Sequence, residues 1–152
     1  MGRNKYPEET VAKILDAALE LFCAQGYEGT SIQDIVDRLD GMTKGAVYHH
    51  FKSKEEIFNA AFDRAMTPIV EHRRSMLGVG NMTGAQKLKR LYAPESVVPQ
   101  IELWARMRPA ADPVKSSRLL AMQYQGSFDE SADGCLLPVI EEGIADGSIA
   151  CE

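Results

Sequence analysis

Between Thr30 and Lys54 the chain reads TSIQDIVDRLDGMTKGAVYHHFKSK, and the Asp40-Gly41 step in its middle constrains the fold more than any other feature. A glycine there supplies the positive φ that lets a chain turn sharply between two helices. Ahead of it Ile32, Ile35, Val36 and Leu39 recur at helical spacing, and Thr30 with Gln33 three residues on has the form of a capping box that opens the run. After it Thr43 caps a further short run that reaches about His50. Two short helices about a tight turn make a helix-turn-helix, and the chemistry of the second helix then decides what it can meet.

That helix starts at the Thr43 hydroxyl and carries Lys44, then Gly45, which leaves the backbone uncovered, then the ring side chains Tyr48, His49 and His50. Hydroxyls, lysines, phenols and the amides at a helix start are the donors that phosphate oxygens accept, so the pattern suits a helix laid in a DNA major groove. A net charge of −5 argues against a nucleic-acid partner only until it is resolved along the chain. Residues 38 to 54 hold four basic side chains, Arg38, Lys44, Lys52 and Lys54, against one acidic, and the acidic remainder limits sequence-independent adhesion. Lys44 and Lys54 stand near the starts of successive helices, where a cation opposes the dipole and an anion is welcome, so both are expected to contact phosphate. Base edges are left to Thr43, Ala46 and Gln33: a methyl can meet a thymine methyl, and a glutamine amide can pair with adenine. Adjacent His49 and His50 diverge by about 100° on a helix and make a poor metal pair.

The flanking sequence predicts more helix and no strand. Pro7, Glu8 and Glu9 favour a helix start, Val11, Ile14, Leu15, Ala18 and Phe22 give it an apolar face, and Gly26 closes it. Ser53 and Glu56 form a second box, opening a long helix on Ile57, Phe58, Ala61, Phe62, Ala65, Met66 and Ile69, with Pro68 expected to kink it. Beyond a loop at residues 78 to 81 come a short helix on Leu88, Leu91 and Tyr92, and one on Val97, Ile101, Trp104, Ala105 and Arg108. A third opens at Asp112-Pro113 and continues to Gly147, with a break expected around Gly126, Gly134 and Pro138. At 152 residues this is one domain or a small module, all-α throughout. No apolar run approaches the roughly 20 residues of a membrane helix, and the first residues lack a signal-peptide core, so a cytoplasmic location is expected. Cys23, Cys135 and Cys151 form no C-x-x-C pair and read as reduced thiols.

With ILDAALELF, GYEGTSIQDI and GMTKGAVYHHFKSKEEIF in that order, residues 10 to 62 closely resemble the N-terminal DNA-binding domain of the TetR/AcrR family of bacterial transcriptional regulators. The resemblance implies a helix-turn-helix head over residues 1–52 and, over 53–152, a helical domain that binds a small ligand and dimerises. Carried over by position, it implies DNA contacts from Thr30, Thr43, Lys44, Tyr48, His49 and Lys54, with Gly45 allowing close approach. The function implied is a ligand-responsive regulator, a repressor that holds a palindromic operator as a homodimer and leaves it when a small-molecule inducer binds. Two departures from the family stand out: Leu39-Asp40-Gly41-Met42 is one residue longer than the usual turn, and the chain reaches Glu152 without the family's last two long helices. The regulatory domain is therefore expected to be incomplete at its C-terminus.

For the ligand, Trp104, Met107, Met122, Tyr124 and Phe128 are the candidates, along with Cys135, although aromatic and methionine residues at helical spacing are more often ordinary core. No nucleophile motif, phosphate-cradling loop or metal-ligand pair at helical spacing supports an enzyme, and neither cofactor nor metal is expected. The alternative is a DNA-binding or adaptor helical protein that has no inducer.

Overall fold

The computed structural model describes residues 7–78, 80–107 and 132–150, and every element among them is helical. The expected all-α class holds. In chain order the helices are α1 (Pro7–Gln25), α2 (Ile32–Asp37), α3 (Lys44–His50), α4 (Lys54–Leu77), α5 (Gly84–Leu91) and α6 (Pro94–Met107), then a single π-helical turn (Ala132–Leu136) running into α7 (Leu137–Ala145). No described helix is long and apolar enough to cross a membrane. The described residues form two compact units, 7–65 with 106–107, and 66–105 with 132–150.

In the first unit α1 opens on the Pro7-Glu8-Glu9 turn and closes at Gly26, whose φ of 85° lets its N–H return to the Phe22 carbonyl at 3.0 Å. Its buried face, Ile14, Ala18 and Phe22, meets the aromatic centre of the unit. Phe22, Tyr27 and Phe58 form a ring cluster with centroids 5.1 to 5.7 Å apart, two of the three pairs edge to face. Ile57, Phe58, Ala61 and Phe62 are buried, so the first turns of α4 complete the core that α1 begins.

The start of α2 differs from expectation. Ser31 is the N-cap: its hydroxyl accepts from the Asp34 amide at 3.1 Å, while the Asp34 carboxylate accepts from the Ser31 amide at 2.7 Å. Thr30, one residue earlier, is 1% exposed, and its hydroxyl donates to the Gly26 carbonyl at 2.8 Å. The sequence TSIQD holds two overlapping boxes, Thr30 with Gln33 and Ser31 with Asp34. The second wins because Asp34 brings a full negative charge to the helix start, while the threonine methyl can be buried. Gln33 donates instead to Asp37 at 2.7 Å.

Gly41, at φ 71°, makes the expected turn, and Thr43 caps α3 by accepting from the Ala46 amide at 3.2 Å. The Ser53 box forms on one side only. Ser53 accepts from the Glu56 amide at 3.1 Å, but the Glu56 carboxylate reaches one residue further back, to the Lys52 amide at 2.6 Å. α4 continues through Pro68 to Leu77.

In the second unit α5 is capped by its own Thr83 and Gln86 and again by residues that follow α7. The Gly84 amide donates to the Asp146 carboxylate at 2.8 Å and the Ala85 amide to the Ser148 hydroxyl at 3.0 Å, so donors that a helix start leaves orphaned are met from another helix. Gly84 lies directly against the Gly143 backbone of α7, which leaves no room for a Cβ on Gly84, while a Cβ on Gly143 would strike the Ile149 side chain. Leu91, Cys135 and Val139 form the buried cluster between these elements, with Leu77 and Leu88 packed on it. The break expected near Gly134 and Pro138 appears as the π-helical turn that hands over to α7, with Pro138 in its first turn and Gly147, at φ 73°, after its end.

α6 carries two of the ligand candidates: Trp104 is half-buried and Met107 buried. Met122, Tyr124 and Phe128 lie outside the described residues, as do the helix expected from Asp112-Pro113, Arg108 and Cys151. Cys135, the remaining candidate, is core.

Candidate nucleic-acid interface

α3 is seven residues long and is held to the head by Val47, fully buried, with Phe51 buried just beyond its end. Everything roughly opposite Val47 is outward. Lys44, Gly45, Tyr48 and His49 are exposed on one face, Tyr48 at 48%, and Thr43 is exposed at the head of the helix. A Cβ at Gly45 would meet nothing nearer than the Thr43 hydroxyl at 4.0 Å, so the head's own packing does not demand a glycine there. What the glycine does provide is bare backbone on the outer face, open to a close partner. Ala46 is half-buried at the edge of this face, and the His49 and His50 rings stand edge to face at 5.3 Å.

Five of the expected residues, Thr43, Lys44, Gly45, Tyr48 and His49, are thus brought together on α3, and Ala46 borders them. Gln33 is exposed on α2, its amide engaged with Asp37. Two expectations need correction. Thr30 has no hydroxyl to offer DNA, because the side chain is buried and its proton is committed to the Gly26 carbonyl. The exposed hydroxyl at that helix start belongs to Ser31, which sequence reasoning passed over, although the Ser31-x-x-Asp34 spacing was there to find it. Lys54 is half-buried and committed across the head: its Nζ donates to the Tyr27 carbonyl at 2.7 Å and the Thr30 carbonyl at 2.9 Å, and stands 4.1 Å from the Tyr27 ring centroid.

The electrostatics narrow the basic footprint further. Arg38 pairs with Glu20 at 2.8 Å on the surface, so an acidic side chain stands beside that part of the footprint. Lys44 and Lys52 remain exposed. The Ser31 amide, and secondarily its hydroxyl, hold the Asp34 carboxyl below its ordinary range, so the charge on the α2 cap persists well into acid. Burial, and then the nearby Glu55 and Glu28 charges, push the Tyr27 phenol up and keep it neutral. Burial likewise raises the Cys23 thiol, with Arg106 pulling weakly the other way, which leaves it a poor nucleophile.

Residues 14–61 match the profile of the bacterial regulatory proteins of the tetR family. The HTH-type transcriptional regulator SrpR of Pseudomonas putida is 44% identical over 62 residues, which cover 41% of this chain and 29% of SrpR. The biofilm operon icaADBC HTH-type negative transcriptional regulator IcaR of Staphylococcus epidermidis is 32% identical over 59 residues, 39% of this chain and 31% of IcaR. Both matches span under a third of the relative's own length. A solved Clostridium perfringens structure, provisionally assigned as a fatty acid metabolism regulator, aligns with a TM-score of 0.61 at 23% identity over 92% of this chain and 74% of that one, a likeness of fold. Over residues 14–61, the head formed by α1 to the start of α4 is thus similar to the tetR family of bacterial regulatory proteins.

Proposed function

We propose that the protein is a DNA-binding transcriptional regulator acting in the cytoplasm, a repressor that holds a palindromic operator as a homodimer and releases it when a small molecule binds. The observation that carries this reading is the outward face of α3, where Thr43, Lys44, Gly45, Tyr48 and His49 are collected on a helix anchored from behind by Val47. Lys44 and the Tyr48 phenol are donors of the kind phosphates accept, and Gly45 lets the backbone approach. Thr43 and Ala46 carry methyls for thymine, and Gln33 exchanges Asp37 for a base edge if it reads one. Ser31 takes the place expected of Thr30, since its side chain is exposed at the start of α2 where that of Thr30 is buried. The head over residues 1–52 and the regulatory domain over 53–152 divide these tasks. Ligand response and dimerisation are supported by the similarity of the head to the tetR family, and repression by the description of IcaR as a negative regulator. Trp104 and Met107 stay candidates for the inducer site.

Selection of bound duplexes from a random pool tests the whole reading. A palindromic product, with half-sites about one helical turn apart, is expected of a dimer. An unenriched pool would refute sequence-specific binding, and binding that ignores small molecules would favour a helical DNA-binding protein without an inducer.

A further inference from the structure

Lys54 is the first residue of α4, where a cation opposes the positive end of the helix dipole, so the helix itself gives no reason for a lysine there. Its partners lie across the head. An ammonium has three hydrogens and accepts nothing. Two of the three are placed on the Tyr27 and Thr30 carbonyls, at 2.7 and 2.9 Å, and the Tyr27 ring covers a further side. These carbonyls belong to the link between α1 and α2, where the Thr30 amide makes only a long 3.3 Å bond to the same Tyr27 carbonyl. The link delivers Ser31, the cap of α2, and α2 in turn packs on α3. Whatever fixes residues 27–30 therefore fixes where the helix pair begins.

We infer that Lys54 is a positioning residue for DNA binding: it ties the α1–α2 link to the start of α4, setting the origin of α2 and hence the presentation of α3, and it does not bind phosphate. The functional half of this inference rests on the DNA-binding reading above, whereas the tie itself stands on the head alone. The test compares the full chain with Lys54→Met and Lys54→Arg. Without DNA, exchange of the Thr30 amide is expected to quicken at least about tenfold in Lys54→Met, as suits loss of a charged hydrogen bond, while Ala18 and Phe22 in α1 keep their protection and Lys54→Arg restores the wild-type rate. On a duplex selected by the wild type, at a temperature where melting shows all variants folded, Lys54→Met is expected to bind about tenfold more weakly with an unchanged salt slope. Loss of a phosphate contact would instead lower that slope by about 0.9.

A slope that drops by that amount overturns the inference whatever the exchange shows. So does unaltered Thr30 exchange, or an unaltered affinity. If Lys54→Met does not fold, Lys54→Gln takes its place in both measurements. Should the wild type select no duplex, the DNA-binding reading is what fails, and the exchange result alone decides whether the tie exists.

Discussion

Gly84→Ala perturbs the second unit at its tightest point. A Cβ on Gly84 would fall inside the contact distance of the Gly143 Cα and amide nitrogen, and 2.7 Å from the Val139 carbonyl oxygen, all of them backbone atoms that cannot rotate aside. Ordinary contact begins at 3.4 Å, so α5 and α7 must part by about 0.7 Å for that oxygen and by more for Gly143. Two short bonds lengthen as they part, from the Gly84 amide to Asp146 and from the Ala85 amide to Ser148. Forcing a methyl into close-packed backbone costs about 1–3 kcal/mol, and each weakened bond about 0.5–1.5. Alanine's helical preference offsets at most about 1 kcal/mol. The net expectation is a loss of about 2–4 kcal/mol. Trp104, the only tryptophan in the chain, lies in the same unit, so a urea titration followed by its fluorescence reads the change. A midpoint shift worth less than about 0.5 kcal/mol would refute the close approach of α5 and α7, because surface substitutions lie in that range.

Lys44→Ala is expected to weaken DNA binding about equally on all sequences and to lower the salt slope by about one unit; binding titrations from low to high salt check it. Ser31→Ala removes the α2 cap and is expected to cost about 1 kcal/mol in thermal or urea unfolding. Thr30→Val, of nearly the same shape, should leave DNA affinity and its salt slope unchanged at temperatures where the head stays folded, because the threonine hydroxyl never reaches the surface; a lowered slope would restore Thr30 to the interface. Hydrogen bonds from Ser148, Gly84 and the Ser148 amide hold Asp146 below its ordinary 3.8, so its contribution is fully present above that value and is lost only as pH falls through the lowered one. Acid titration of Asp146→Asn should accordingly show a shallower loss of stability in strong acid than the wild type, and identical curves would remove Asp146 from the α5 cap.

Much of the head was legible because its punctuation is local. Gly26 and Gly41 mark their turns by a conformation few other residues accept, and Thr43 announces α3 by the amide it caps. The start of α2 was misplaced by one residue because Thr30 and Ser31 both satisfy the same spacing rule, and only burial, a tertiary property, separates them. Lys54 misled for a related reason. Its position at a helix start invites an anion, but the carbonyls that claim it lie 24 and 27 residues earlier in the chain. The same distance in sequence hides the second capping of α5, since nothing near Gly84 foretells partners 62 and 63 residues away. Local periodicity finds helices; it does not say which of their ends will be finished by another part of the chain.

The anchoring of α3 through Val47 has a consequence for how a repertoire of such proteins can diversify. Because one inward valine, helped by Phe51, secures the helix while Lys44, Gly45, Tyr48 and His49 take no part in the hydrophobic interior, those four positions are free to be rewritten. If α3 reads DNA as proposed, a head of this build exchanges one target sequence for another by altering outward side chains alone, at little penalty to folding. New binding preferences then arise by surface drift, with the scaffold left as it was.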